Sequence, residues 1–280
     1  MRADRHGFSL VELLVALVLT AIIGASLTTL FVTQSRFLEQ QQKQEFARGV
    51  ARSATNIMMS ELRMVDRDSG ITAASPTSIT ARVPFAMGVV CGTTGLGLIV
   101  TFQMFPVDPS LYNVGNIDGF AYRGASGYYQ YRVSSGSAQP ATSTAGLCAT
   151  NGISAPAGSQ IMAISTVNPA AAVRGDPIML FRNVRYHFAA SAAVPGRVGL
   201  YREVEGVDEE IVAPFDNSAG FAFFVNDALT SQSAAPASSA LNTLTGLEIK
   251  LNSISERPNA DGTYTVVPMT TGVFFKNRRN

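Results

Sequence analysis

The chain has 280 residues, of which 46% are apolar and 15% are charged, and its formal net charge is +1. The charged fraction is low for a soluble globular protein, in which about 25% is usual. Because the net charge is so small, it gives no reason to expect nucleic acid or an acidic protein as a partner. The length is enough for one sizeable core or two small ones.

The chain begins with a short, polar, slightly basic segment at 1–7, followed by an apolar stretch from Phe8 to about Val32. That stretch is long enough to span a hydrocarbon core of about 30 Å as a helix. The basic residues Arg2 and Arg5 predict that the short segment stays in the cytoplasm, by the positive-inside tendency. The bulk of the chain is then expected outside the cytoplasmic membrane.

The apolar stretch contains one formal charge, that of Glu12. A carboxylate within a membrane helix costs about 2.5–3.5 kcal/mol on insertion scales, and less near a helix end. No cationic side chain lies in the stretch, so Glu12 has no i±3 or i±4 ion-pair partner. We therefore predict that its partner comes from another molecule or from a newly formed chain terminus.

The residues that lead up to this carboxylate form a motif, Gly7-Phe8-Ser9-Leu10-Val11-Glu12. The motif resembles the processing signature of type IV prepilins and pseudopilins. The resemblance implies that a prepilin peptidase cuts between Gly7 and Phe8 and methylates Phe8, the new N-terminus. It also implies that Glu12 pairs with the N-terminal ammonium of a neighbouring subunit in a filament.

Two other interpretations of the N-terminus fit less well. A secretory signal peptide has a basic start and an apolar region too, but that region is shorter and ends at a small-residue cleavage site. The segment Ile23-Gly24-Ala25 is a poor match to such a site. A plain single-span anchor leaves Glu12 unexplained.

Residues 33–70 are rich in good helix formers and contain no proline, so we predict that the membrane helix continues out of the bilayer. Apolar residues recur there at helical spacing and form one stripe that should dock on a sheet. The segment Asp66–Gly70 is predicted to end the helix, with Gly70 as its C-terminal cap. The stripe comprises Phe46, Val50, Ala54, Ile57, Met58, Leu62 and Val65.

Beyond residue 75, short runs rich in Val, Ile, Phe, Tyr and Thr alternate with turn residues, which is typical of strands. Alternation within Arg182–Phe188 and Leu247–Leu251 indicates a half-buried antiparallel sheet. A long N-terminal helix followed by strands predicts an α+β fold. The predicted strands are Ser78–Val83, Gly97–Phe102, Tyr128–Val133, Ile161–Ser165, Ile178–Phe188, Gly199–Val204, Glu209–Val212, Gly220–Val225, Leu244–Ser253 and Tyr264–Phe275.

Two stretches dense in small and polar residues, Ser134–Ser159 and Thr230–Ser239, are predicted to be loops. A short helix is predicted at Ser238–Leu244. The two cysteines, Cys91 and Cys148, do not have the spacing of a zinc site. They would form one disulfide in an oxidising compartment and two buried, reduced thiols elsewhere, and the sequence leaves both states open.

A second, looser resemblance covers the C-terminal part of the chain. Its strand-like segments follow one another as in the PilW-like minor pilins and the related J-type minor pseudopilins of type II secretion. The resemblance implies that these strands form the sheet that packs on the N-terminal helix, and it favours a minor over a major subunit. The segments are Val184–Tyr186, Gly199–Glu203, Phe221–Phe224, Leu247–Leu251 and Phe274–Arg278.

The expected domain organisation is a leader at 1–7, a transmembrane helix at 8–32, an amphipathic continuation at 33–70 and a β-rich head at 71–280. The resemblance implies a minor type IV pilin of the bacterial inner membrane, with its head in the periplasm, that enters the filament or its tip on assembly. The implied partners are prepilin peptidase, other minor pilins, the major pilin and the inner-membrane assembly platform. The alternatives are a minor pseudopilin of a type II secretion system, and a tip adhesin or DNA-uptake pilin.

The sequence offers little catalytic chemistry, so we expect no enzyme activity, no cofactor and no metal. Of the two histidines, His6 lies in the leader and His187 lies in an alternating strand, where a solvated or hydrogen-bonded ring is expected. No catalytic triad or histidine-containing metal cluster can be assigned. An acidic run is interpreted as a solvated hairpin, and a site for a divalent cation is the alternative. The run comprises Glu203, Glu205, Asp208, Glu209 and Glu210.

Aromatic and arginine residues interleave from Tyr122 to Arg132, and the C-terminus carries Lys276, Arg278 and Arg279. This combination is able to stack on and neutralise single-stranded nucleic acid. A cross-strand aromatic ladder explains the same pattern. We prefer the ladder and expect no nucleic-acid partner.

Overall fold

The described residues of a computed structural model form one long helix, α1 (Leu10–Leu62), a 13-stranded sheet and a short second helix, α2 (Ala145–Thr150). A 3₁₀ helix lies at Ser238–Thr243, where a short helix was predicted. The architecture is the α+β fold expected from the sequence. The described residues are 9–67, 69–94, 97–104, 116–123, 129–137, 139–140, 145–153, 160–165, 173–259 and 261–275.

Each predicted strand is present in the sheet, and most are longer than predicted. Three strands, β1, β4 and β6, were not predicted. The first two hold Ala, Ser, Gly or Asp, which have weak β-propensity, and β6 is only the two residues Gln139 and Pro140, so pairing with neighbouring strands decides instead. The strands are β1 (Ile71–Ser75), β2 (Ser78–Thr94), β3 (Gly97–Met104), β4 (Asn116–Arg123), β5 (Tyr129–Ser137), β6 (Gln139–Pro140), β7 (Gln160–Ser165), β8 (Pro177–Ala190), β9 (Val198–Val204), β10 (Val207–Phe215), β11 (Gly220–Val225), β12 (Leu244–Ile254) and β13 (Val266–Phe274).

The stretch Ser134–Ser159 is not one continuous loop, since it contains the end of β5, the strand β6 and the helix α2. Cys148 on α2 forms a disulfide with Cys91 on β2, with 4.7 Å between the Cα atoms. Both cysteines are buried. Of the two states that the sequence left open, the structure has the disulfide, and it ties α2 to the sheet.

Strands β2 and β8 are the longest in the sheet and pair with each other along most of their length. On its other edge, β8 pairs with β4 over Ile178–Phe181 and with β9 over Val184–Ala190. The sheet therefore has two halves. We call β1 and β9–β13, with the adjoining ends of β2 and β8, the helix-packed half, because α1 packs on β10, β12 and β13. Strands β3–β7 belong to the second half.

The helix α1 ends earlier than predicted. Its last residue is Leu62, and Arg63, with φ −65° and ψ −22°, is its C-cap. Gly70 has a different role from the predicted cap, since a Cβ atom there would lie 2.2 Å from the carbonyl oxygen of Asp66. The missing side chain lets the turn from Asp66 to Gly70 close tightly before β1 begins.

The predicted apolar stripe is confirmed from Val50 onwards, but its N-terminal end at Phe46 is wrong. Val50, Ala54, Met58 and Leu62 are buried against the sheet, whereas Phe46 is 41% exposed. Ala47 and Ala51 are fully buried as well, and a small side chain lets the helix approach the sheet closely. The sheet residues that pack on this face include Ile79, Val184, Leu200, Phe215, Phe223, Leu247, Ile249 and Leu251.

Candidate functional site

The site predicted from the sequence is the start of α1. The described residues begin at Ser9, so the predicted cleavage and methylation positions, Gly7 and Phe8, lie outside them. What the structure does describe is how Glu12 is held at the beginning of the helix.

Ser9 and Glu12 form a capping box at the N-terminus of α1. The backbone N–H of Glu12 donates to Ser9 Oγ over 3.2 Å, and the backbone N–H of Ser9 donates to Glu12 Oε2 over 3.0 Å. Each side chain thereby satisfies a backbone N–H that has no partner within the helix. Glu12 therefore has a hydrogen-bond partner within the chain, although it has no cationic partner at i±3 or i±4. That partner is a neutral amide, so it does not balance the charge of the carboxylate.

The first half of α1 is apolar and packs on nothing in the part of the chain that the structure describes. Every residue from Leu10 to Val32 is exposed, and Leu10 and Phe31 are 82% and 71% exposed. At about 1.5 Å per residue this segment covers about 34 Å, enough to span a hydrocarbon core of about 30 Å. By length and composition, α1 is able to cross a membrane.

Hydroxyl groups in this exposed half are satisfied within the helix. Each donates to the carbonyl oxygen four residues earlier, over distances of 2.7–2.9 Å. An unsatisfied hydroxyl is costly in hydrocarbon, and this pattern removes that cost. The hydroxyls belong to Thr20, Ser26, Thr28, Thr29 and Thr33.

The second half of α1 carries a buried carboxylate, in contrast to the exposed Glu12. It belongs to Glu61, which is 2% exposed. Tyr186 on β8 donates its hydroxyl proton to Glu61 Oε2 over 2.6 Å. Arg202 on β9 donates from Nη2 to Oε1 over 2.7 Å and from Nε to Oε2 over 3.3 Å. Burial, followed by the negative charge of Glu61, raises the pKa of the Tyr186 hydroxyl well above its ordinary value. The two hydrogen-bonded partners join the helix to two neighbouring strands.

Sequence analysis did not single out Glu61. A signal was present, because Glu61 lies three residues after Met58 and four after Ile57, on the apolar stripe itself. A glutamate on a docking face requires a partner on the docked surface. Which residues supply that partner depends on sheet pairing, which the sequence did not reveal.

Lower on the helix, Lys43 joins α1 to the loop between β12 and β13. Its Nζ donates to the carbonyl oxygen of Pro258 over 2.9 Å and lies 2.8 Å from Glu39 Oε1. This contact lies on the membrane side of the docked stripe. It connects the head to the part of α1 that follows the apolar segment.

The acidic run forms a hairpin, as predicted, with its turn at Glu205 and Gly206 between β9 and β10. The hairpin is not simply solvated, because its acidic side chains have specific partners. Glu203 pairs with Arg185 over 2.9 Å, and Glu205 pairs with the buried Arg182. The acidic groups hold the hairpin against β8.

Glu210 shapes the loop between β8 and β9. Its Oε2 accepts backbone N–H groups from Ala192 and Ala193 over 2.8 and 3.0 Å. Burial opposes ionisation of Glu210, but hydrogen bonds from Ser191 and these amides hold its pKa below the ordinary value. Its role is to fix a turn of the backbone.

His187 is neither solvated nor hydrogen-bonded at Nδ1, contrary to the expectation. It is 9% exposed, its ring stacks on Tyr201 with 5.3 Å between centroids, and its buried Nδ1 has no hydrogen-bond partner in the described part of the chain. Its Nε2 lies 3.3 Å from Asp208 Oδ2. Antiparallel pairing brings this histidine beside the acidic hairpin, which sequence spacing alone does not show.

The structure does not test whether the interleaved aromatic and arginine residues form a cross-strand ladder or a nucleic-acid surface. The side chains from Tyr122 to Arg132 and the residues 276–280 are not among the described ones. The predicted loop Thr230–Ser239 is described, and Gln232 forms an isolated bridge with Phe223 on β11. That loop covers the free edge of β11.

Comparison with known protein families gives a match at the N-terminus of the chain. The family described as the prokaryotic N-terminal methylation motif matches residues 2–28. No curated protein and no solved structure matches the chain. The matched residues contain the motif from Gly7 to Glu12 and most of the exposed apolar segment. Such a motif implies processing by prepilin peptidase and, in general terms, partners from pilus or secretion assembly. Together with the exposed apolar helix, it supports a type IV pilin-like protein that is anchored in a membrane.

Proposed function

We propose that the protein is a minor type IV pilin, a structural subunit that primes or caps a filament, and that it is not an enzyme. The supporting observation is the division of α1. Its segment Leu10–Val32 is apolar and exposed, whereas its segment Ala47–Leu62 is docked on the sheet. An exposed apolar helix is accommodated by lipid before assembly and by the helices of other subunits afterwards.

Cleavage between Gly7 and Phe8 leaves the capping box intact, since Ser9 and Glu12 both remain. The box occupies Oε2 of Glu12, and in our proposal the carboxylate also meets the N-terminal ammonium of the neighbouring subunit. Two unit charges about 4 Å apart attract by about 4 kcal/mol at the effective dielectric constant typical of a protein surface. The charge that is costly in lipid thus becomes favourable on assembly.

The proposal of a minor rather than a major subunit rests on the size of the head. The second half of the sheet, β3–β7, extends beyond the strands on which α1 packs. A filament packs its subunits closely, and its end leaves more room for an additional half. We therefore place the protein at the filament tip, with its head outside the cytoplasmic membrane, in contact with other minor pilins and the major pilin.

A minor pseudopilin of type II secretion would use the same processing and the same helix packing. Deletion of the gene separates the two functions. Loss of surface pili with normal secretion supports the pilin, and loss of secretion with normal pili contradicts it.

The primary test measures intact mass and N-terminal sequence of the membrane-purified protein, expressed with and without prepilin peptidase. We expect a chain that starts at N-methylated Phe8 only when the peptidase is present. The substitution Gly7→Val should block cleavage, whereas Ala3→Val, a change of similar kind in the leader, should not. A start at Met1 or near Ser26 in both samples would contradict the proposal.

A further inference from the structure

A cluster of potential metal ligands lies on the sheet face opposite α1. His187 on β8, Glu203 on β9 and Asp208 on β10 each place one ligand atom within 4.8 Å of the other two. Tyr186 and Phe188 on the same strand face the core, and side chains alternate along a strand, so His187 projects to the other side. The cluster is separate from the predicted assembly site at the start of α1.

The state of His187 is the second observation. Its side chain is 11% exposed, and Nδ1 has no hydrogen-bond partner in the described residues. Its stack on Tyr201, with 5.3 Å between centroids, fixes the ring, and Nε2 points to the carboxylate of Asp208 at 3.3 Å. Nε2 is therefore the ring atom available to an ion held between His187 and the carboxylates, whereas Nδ1 points elsewhere and takes no part in the site.

We propose that His187, Glu203 and Asp208 bind a divalent transition-metal ion of the zinc class. One imidazole and two carboxylates are a donor set that suits zinc, whereas calcium and magnesium prefer oxygen ligands alone. With metal–ligand bonds of about 2.0–2.2 Å, neighbouring ligand atoms in a tetrahedral site lie about 3.3–3.6 Å apart. The 3.3 Å between His187 Nε2 and Asp208 Oδ2 already meets this requirement.

Glu203 has to move inward to complete the set. Its side chain is 30% exposed and its Oε2 pairs with Arg185 Nη1 over 2.9 Å. Arg185 is thus the natural competitor of the ion for this carboxylate. The side chain of Asp208 is 45% exposed, so the fourth coordination position opens to solvent. A bound ion joins β8 to the β9–β10 hairpin on the outer face of the head.

The test uses the full chain in detergent and zinc alone as the probe. Zinc is titrated in competition with a chromogenic chelator, and bound metal is counted after equilibrium dialysis. We expect one tight equivalent. His187→Gln and Asp208→Asn should each weaken binding by more than about 100-fold, because loss of even an outer-shell partner weakens a metal site by 10–100-fold. Arg185→Gln should strengthen binding severalfold by releasing Glu203.

Glu209→Gln is the matched control, since it removes an exposed charge of the same hairpin next to Asp208 and should leave the affinity unchanged. Circular dichroism establishes that each variant is folded, and Asp208→Asn, at an exposed position, keeps the test valid if His187→Gln does not fold. The absence of a saturable equivalent in the wild-type chain overturns the proposal. Equal weakening by Glu209→Gln and Asp208→Asn also overturns it, because it indicates unspecific attraction to an acidic surface.

Discussion

Two glutamates of the same helix have opposite surroundings. Glu61 is 2% exposed and is held by Tyr186 and Arg202, which lie 125 and 141 residues further along the chain. Glu12 lies in the exposed half of α1 and is held by the backbone of Ser9, three residues before it. The first carboxylate has its cation within the chain, whereas among the described residues the second is held by a neutral amide.

The comparison shows which part of the molecule is complete by itself. The docked half of α1 buries its apolar face against the head of the same chain, and the charge of Glu61 is balanced there by Arg202. The exposed half satisfies its backbone and hydroxyl groups internally, but leaves its apolar surface and the charge of Glu12 to its surroundings. We infer that folding of the chain completes the first half and assembly completes the second.

The largest expected effect comes from removing the cation of the docked half. Arg202→Met leaves Glu61 buried without its ion-pair partner, and we expect a loss of about 3–5 kcal/mol in the free energy of unfolding. Urea unfolding of the full chain in detergent, followed by circular dichroism, measures it. The double variant Glu61→Met with Arg202→Met should recover most of the loss, because no charge is then left buried.

Arg185→Met is the control for that prediction. Its pair with Glu203 is on the surface, with an arginine side chain 46% exposed, and we expect a loss of less than about 1 kcal/mol. Equal losses for the two arginine variants would contradict the contrast between a buried and a surface pair.

The exposed half is tested by Glu12→Gln. Glutamine keeps an oxygen acceptor for the Ser9 amide and so retains the capping box, but it removes the charge. An attraction of about 1–4 kcal/mol is lost, so incorporation into filaments should fall at least about fivefold while processing continues. Quantitative immunoblotting of sheared filaments measures it.

Ser9→Ala is the converse change, because it removes the cap and keeps the charge. We expect it to loosen the first turn by about 1 kcal/mol and to reduce incorporation less than Glu12→Gln does. Normal assembly of Glu12→Gln would show that Glu12 serves only as a cap, and the comparison between the two glutamates would then fail.

The smallest effect is a pH dependence in the docked half. The folded state raises the pKa of Tyr186, so the unfolded state loses this proton first, near pH 10. The contribution to stability is complete below that pH and is lost as pH rises towards the folded-state pKa, at no more than about 1.4 kcal/mol per unit. Urea unfolding between pH 9 and 11 should show a steeper loss in the wild type than in Tyr186→Phe. Equal slopes would contradict the prediction.

Much of the fold follows from local sequence patterns, and each element that was predicted wrongly has a specific physical reason. Alternation and β-branched residues predicted β8 and β12 well, because each strand has one face in the core. The strand β4 escaped prediction since Asp118 and Gly119 interrupt its pattern, and its pairing with β5 and β8 overrides their weak propensity. Phe46 was placed in the docked stripe because its spacing fits. The head packs instead on the smaller Ala47 and Ala51.

The sequence by itself determined the features that depend on near neighbours. The motif from Gly7 to Glu12, the apolar span and the helical period of α1 are all readable within a few turns of chain. Only the tertiary structure decided where α1 ends, which residues balance Glu61, and that His187 lies beside Asp208. These depend on strand register and on contacts between residues far apart in the chain, and a one-residue change of register would move every side chain of a strand to the other face.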